Sequence, residues 1–236
     1  MHASASYYNA LVLTCYDYCV HSLFMVYLWG CPTTTVTLPF FKSNIGRRHM
    51  DVGVGTGYFP AAVRQSVQQK QQNHAVLLDS PFLQWPEKLL LVDLNPNCTE
   101  MAASRVGVRD RTEILIVDVF QPLPAVESVE KYDSISLMNL LHCLPGSAEY
   151  KSQVFGNLKP FLKDNGTLFG GTILGKGVQH NFLGKALMWV FNCIGIFHNY
   201  EDEKGLFLQV LEKEFGKVDH VVVGRILLFV AKEPLL

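Results

Sequence analysis

Three segments of this chain end a short apolar run on an aspartate: "RRHMDVGVG" at Asp51, "KLLLVDLNP" at Asp93 and "TEILIVDVF" at Asp118. A continuous apolar run, without polar alternation, suits a strand buried on both faces, and such strands belong to parallel sheets covered by helices. The intervening segments read as helices. "YFPAAVRQSVQQKQQ" places its glutamines on an outer face, and "NCTEMAASRVG" ends on a glycine. The alternation continues with a fourth strand in "YDSISLMNLLHCLPG" and an amphipathic helix over "SAEYKSQVFGNLKPFLKDNG", closed by Asn165-Gly166. A fifth strand, "TLFGGTILG", follows, then helices over "HNFLGKALMWVFNCIG" and "EDEKGLFLQVLEKEFG", and two closing strands around Gly224. This order predicts an α/β fold with a doubly wound, mostly parallel seven-stranded sheet and helices on both faces. No linker splits the chain. The expected organisation is one domain over 1–236, with a helical N-terminal cap at 1–45 and a core at 46–236 that includes a substrate-side helical segment at about 176–200.

Composition excludes some functions. With a net charge of −1, the chain has no basic excess, and phosphate binding leans on Lys and Arg, so no nucleic-acid partner is expected. The six cysteines form no CxxC pair and no zinc-type spacing with histidine, which predicts reduced, mostly buried thiols and no metal. The first residues lack the positive region of a signal peptide, so the expected location is cytoplasmic. Asp17 is the only Asp, Glu, Lys or Arg before Lys42. His21, Ser22, Gly30, Pro32 and four threonines interrupt that neutral stretch, so no stable membrane span is expected. Buried helix packing and an apolar wall over a substrate both account for it.

The loop "HMDVGVGTGYFP" follows the first strand. Its glycines let a ligand lie against bare backbone, and the next helix presents free N–H groups to an anion, pyrophosphate or carboxylate alike. Gly53, Gly55 and Gly57 give G-x-G-x-G headed by Asp51, not the dinucleotide pattern G-x-G-x-x-G. This resembles the first motif of the class I S-adenosylmethionine-dependent methyltransferases. In that family the loop faces the methionine portion and ribose, and the acid reaches the amino group directly or through water. Asp93 stands where a carboxylate accepts from the ribose hydroxyls, a role that also fits NAD. The resemblance further implies that Asp118 accepts from the adenine amine. It extends cofactor contact to Leu94, Val119 and Asn139, and makes the fold Rossmann-like. The segments "YNALVL", "WGCPT", "LGKGVQHNFLGKALM" and "GIFHN" resemble a subgroup of small bacterial and fungal enzymes. Tyr8 stands at that subgroup's Tyr-acid pair, with Asn9 at the acid's place. From Gly57 to Asp93 is 93 − 57 = 36 residues against about 20 in the usual pattern. The extra loop, 70–88, starts after the helix and is expected to be a surface excursion.

The resemblance implies S-adenosyl-L-methionine as cofactor and a methyltransferase acting on a small apolar molecule, most readily a polyketide-type hydroxyl of secondary metabolism. His142 follows the fourth strand on the cofactor side and is the candidate general base, because an imidazole titrates near neutral pH. Tyr27, Trp29, His180, Met188 and Phe197 are the candidate substrate walls and orienting groups. Two alternatives stand beside this. A nicotinamide oxidoreductase would want G-x-G-x-x-G and a Tyr-x-x-x-Lys set. A methyltransferase fold that binds the cofactor without transferring methyl would show the same motifs.

Overall fold

A computed structural model of the protein describes residues 17–72, 85–123 and 131–235. Seven strands form one sheet: β1 (Arg48–Val52), β2 (Lys88–Asp93), β3 (Thr112–Ile116), β4 (Tyr132–Met138), β5 (Leu162–Ile173), β6 (Phe215–Val223) and β7 (Ile226–Pro234). Their spatial order is β3-β2-β1-β4-β5-β7-β6. The first five are parallel, and β7 runs antiparallel to both β5 and β6. Strand order reverses between β1 and β4, which is where an open α/β sheet binds its ligands.

The helices are α1 (Leu38–Asn44), α2 (Tyr58–Gln72), α3 (Pro96–Val106), α4 (Ala148–Lys151), α5 (Gln153–Leu158), α6 (Phe182–Cys193) and α7 (Lys204–Glu214). Ahead of them lies a wide, i→i+5-bonded helix, Tyr18–Leu28, which ends just before Gly30-Cys31-Pro32 as expected. Among the described residues no helix is long and apolar enough to cross a membrane. α3 shows why the sequence was readable locally. Asn95 caps it by accepting from the Asn97 N–H at 2.9 Å, Pro96 occupies its first position, and Gly107 closes it at φ 66°.

Two expectations needed correction. The single helix over 147–166 is two short helices, α4 and α5, and β5 begins before Asn165-Gly166. Leu162 pairs with Tyr132, and pairing resumes only at Thr167 against Ser134. The intervening "KDNG" is a bulge inside the strand, and the turn residues read from the sequence serve that bulge. The third strand, expected to be buried, is a sheet edge. Ile114 and Ile116 of β3 are exposed. β3 has the composition of a central strand, but among the described residues its only strand neighbour is β2.

Candidate functional site

A cleft opens at the carboxyl ends of the central strands. Its lining includes Asp51, Gly53 and Gly55 from the first loop, and Asp93 and Leu94 after β2. Asp118 and Val119 follow β3, Asn139 follows β4, and His21, Thr56, Tyr58, Phe59 and Cys143 complete the wall. The acids come together here because parallel strands in register bring their ends to one edge. Asp51 pairs with Leu91, two residues before Asp93, and Asp93 pairs with Ile116, two residues before Asp118. Tyr8 lies outside the described residues.

The loop glycines have distinct reasons. All three have positive φ, at 71°, 53° and 70° for Gly53, Gly55 and Gly57. A Cβ on Gly57 would come within 2.7 Å of the Ala102 backbone, so this residue seats the loop against α3. A Cβ on Gly55 would meet nothing within 4 Å. That bare backbone faces the cleft and is free to lie against a ligand.

Asp93 is bound into the loop before any ligand arrives. Its Oδ2 accepts from the Gly55 N–H at 3.3 Å and its Oδ1 from the Asn95 N–H at 2.9 Å. Burial raises its pKa, and those backbone donors pull it back. Asp118 Oδ1 accepts from the Phe120 N–H at 3.0 Å. Asp51 is buried, and burial pushes its carboxyl up to about 7, against the hydroxyl of Ser136, which donates to Oδ1, and with some help from the charge of Asp93. Asn139 holds φ at 58°, a left-handed conformation that asparagine tolerates better than most residues. Its buried Oδ1 has no hydrogen-bond partner among the described residues. A buried carboxylate and an unsatisfied amide oxygen in one cleft call for a cationic, hydrogen-bond-donating ligand. The ammonium of an amino-acid cofactor fits that demand. Among the described residues no group of three or more His, Cys, Asp or Glu is placed to hold a metal ion.

The N-terminal segment reaches the cleft through the one charge that the sequence placed before Lys42. Asp17 accepts from the Thr56 hydroxyl of the glycine loop at 2.6 Å and is paired with Arg105 of α3. Arg105 also donates to Thr56 Oγ1 at 3.1 Å and lies over the ring of Tyr58 at 5.4 Å. His21 stacks on Tyr58 at 4.0 Å and lines the cleft. Asp17 carried no assigned role in the sequence reading, although its isolation in a neutral stretch was the available signal.

The expected catalytic and substrate residues are placed less simply. The His142 ring lies outside the cleft lining, one residue before Cys143, with its edge on Phe197 at 4.6 Å. Its Nδ1 is 3.4 Å from both Thr172 Oγ1 and the Ile173 N–H. The expectation that it titrates near neutrality is corrected. Burial, followed by the Lys151 cation, lowers it to about 3, so it is neutral at working pH. Trp29, Met188 and Phe197, expected as an open wall, are packed into one apolar cluster with Met25, Ile173 and Leu228. Interior side chains fill space, and aromatic residues after Gly-containing loops give no sign of whether that space is cavity or core. His180 packs against Trp29, donates from Nε2 to the Leu174 carbonyl at 2.9 Å, and lines a separate surface depression with Met188, Trp189 and Tyr200. Tyr27 is exposed.

No family model matches the chain. A methyltransferase of Penicillium polonicum, verB, is 60% identical over 234 residues, covering 99% of this chain and 100% of that protein. A physcion biosynthesis cluster O-methyltransferase of Aspergillus chevalieri is 40% identical, covering 96% of this chain and 93% of that protein. Among solved structures, the N-methyltransferase NodS of Bradyrhizobium japonicum WM9, in complex with S-adenosyl-L-homocysteine, superposes with a TM-score of 0.56. It covers 84% of this chain and 85% of NodS at 14% identity, a likeness of fold.

Proposed function

This chain belongs to the class I methyltransferases, and from that membership we propose that it transfers the methyl group of S-adenosylmethionine to a hydroxyl of a small, apolar secondary metabolite of polyketide type. One observation carries the cofactor assignment: Asp51, Asp93, Asp118 and the unpartnered Asn139 Oδ1 line one cleft at the reversal of strand order. In this reading Asp51 and Asn139 hold the ammonium, Asp93 the ribose hydroxyls, and Asp118 the adenine amine. Gly53 and Gly55 leave backbone against the methionine portion, and Leu94 and Val119 flank the nucleoside. The cofactor supplies a methyl group on a positively charged sulfur. The names of the fungal relatives support a hydroxyl acceptor, because one of them is an O-methyltransferase of a biosynthetic cluster.

The chain's own contribution is to orient the acceptor and to keep water out. The cleft lining beyond the cofactor residues includes His21, Phe59, Met138, Cys143, Leu144 and Pro145, a mostly apolar stretch of wall. Holding an acceptor oxygen in line supplies most of what such a transfer needs, up to roughly 7–11 kcal/mol in ideal cases. His142 is the proposed proton acceptor. Its neutral imidazole is the form that accepts a proton, but the ring lies behind the cleft lining and is held near 3, too weak a base to ionise a phenol, so positioning carries most of the transfer. Phe197 and the Trp29–Met188 cluster back His142 and shape that wall, and Tyr27 and His180 border the approach.

The test is to incubate the protein with S-adenosylmethionine and a panel of phenolic and enolic polyketides. The expected outcome is a product heavier by one methyl group, formed in equal amount with S-adenosylhomocysteine. Tight binding of S-adenosylmethionine with no S-adenosylhomocysteine formed with any acceptor would favour a cofactor-binding protein without transfer. Binding of NAD in its place would overturn the assignment.

A further inference from the structure

The two central strands carry polar side chains where only apolar ones are expected. His49 and Asp51 of β1 pair directly with Ser134 and Ser136 of β4, and all four are buried. They form one connected row. The Gly46 N–H donates to Ser134 Oγ at 2.7 Å. Ser134 Oγ lies 2.7 Å from His49 Nδ1, and His49 Nε2 lies 3.1 Å from Ser136 Oγ. Ser136 donates to Asp51 Oδ1 at 2.5 Å. Phe169 stacks on the face of His49 and Phe41 meets it edge-on, so no water competes for these bonds.

The ends set the direction of the row. A backbone N–H can only donate, and an ionised carboxylate can only accept. Ser136 has one proton and gives it to Asp51, so it accepts from His49 Nε2–H. Neutral His49 then has a bare Nδ1, to which Ser134 donates while accepting from Gly46. Burial holds His49 at about 3, so it stays neutral and contributes one donor and one acceptor throughout.

We propose that Ser134, His49 and Ser136 are positioning residues, a one-way hydrogen-bond chain through the sheet that delivers a donor to Asp51, favours its ionised form and aims it at the ammonium of the cofactor. This rests on the cofactor assignment above. Burial and the charge of Asp93 hold Asp51 at about 7 even with Ser136 donating to it, so without that donor it would keep its proton at and above neutral pH. The other titratable groups lining the cleft are His21 from the N-terminal helix, Tyr58 from α2, Cys98 from α3, Asp118 after β3 and Cys143 after β4. Among the described residues, Ser136 is the side chain that hydrogen-bonds Asp51.

Two ligands isolate the effect. S-adenosylhomocysteine carries the ammonium; 5′-methylthioadenosine keeps the nucleoside thioether and lacks the amino-acid group. Calorimetry of both ligands with wild type, Ser136→Ala and Ser136→Thr, between about pH 6 and pH 9, separates charge positioning from general damage. Ser136→Ala is expected to weaken S-adenosylhomocysteine about tenfold or more near pH 7, the size of one hydrogen bond to a charged group. Methylthioadenosine affinity should stay within about twofold by the same reasoning, since the lost bond serves only the ammonium. The loss should shrink toward high pH, where Asp51 ionises unaided, and Ser136→Thr should restore affinity. His49→Phe, which keeps a packed ring and removes the donor, is expected to show the same ligand-selective loss. In wild type, nitrogen-15 shifts should show His49 neutral with its proton on Nε2. Equal losses for both ligands, a loss independent of pH, or a proton on Nδ1 would overturn the chain. Failure of wild type to bind S-adenosylhomocysteine would instead overturn the cofactor assignment.

Discussion

Lys151→Met tests what holds the acceptor side of the cleft together. Lys151 and Asp202 are 0% and 1% exposed. The ammonium donates to both carboxylate oxygens at 2.8 and 2.7 Å and to the His198 carbonyl at 2.6 Å, so all three of its protons are used. Methionine matches the volume of lysine but leaves the Asp202 carboxylate buried without a counter-charge. Breaking a buried pair in this way costs about 3–5 kcal/mol. For a chain of this size that lowers the melting temperature by about 6–20 °C, at roughly 2–4 °C per kcal/mol. The pair also anchors the loop that carries Phe197 and His198, and the His198 N–H donates to the His142 carbonyl at 2.8 Å. KM for the acceptor should therefore rise, while S-adenosylhomocysteine affinity at the glycine loop stays close to wild type. Urea unfolding of Lys151→Met and of the double variant Lys151→Met/Asp202→Leu decides the matter. The double variant should recover most of the loss, because an apolar pair leaves no buried charge. A single-variant loss below about 1 kcal/mol, or a double variant no more stable than the single one, would refute the reasoning.

Asp93→Ala should weaken S-adenosylhomocysteine by about 1.5–3 kcal/mol, roughly 10- to 150-fold, by calorimetry. The exposed Asp110→Ala serves as the control, and equal effects would mean that Asp93 does not face the ribose. His142→Ala should cut turnover by roughly 100-fold, the lower end for a positioned base, with cofactor affinity unchanged, and near-wild-type turnover would eliminate it as the base. Because His142 is held at about 3, the wild-type rate should show no histidine-type fall between about pH 8 and pH 5. His49 gives a stability prediction of definite sign. Its folded pKa, about 3, lies below the 6.5 of a free imidazole, so its contribution is complete above 6.5 and is lost as pH falls toward 3. At pH 5 that loss is about 2 kcal/mol. Urea unfolding at pH 7 and pH 5 should show wild type losing that much more than His49→Phe; parallel losses would mean that His49 titrates normally.

The alternation of buried strands and helices was legible because each signal is local. A run such as "KLLLVD" has no polar face to present to water, so it must lie inside a parallel sheet. The cofactor cleft was legible for a related reason. Asp51 and Asp93 lie at the carboxyl ends of β1 and β2 and Asp118 two residues after β3, and parallel strands bring those ends to one edge whatever their order. The resemblance to a known family then named the ligand. The depth of His142 and the packing of Trp29, Met188 and Phe197 were not legible, because an aromatic or imidazole ring reads the same in a core as on a cavity wall. Nor were the polar contacts that only the assembled sheet creates. Thr56 and Asp17 are 39 residues apart, Lys151 and Asp202 are 51 apart, and His49 and Ser134 are 85 apart. Local preference determines that a segment is a strand. Which strand it pairs with, and in what register, is decided by the whole sheet closing over its core. That register aligned His49, Ser134, Ser136 and Asp51 in one row.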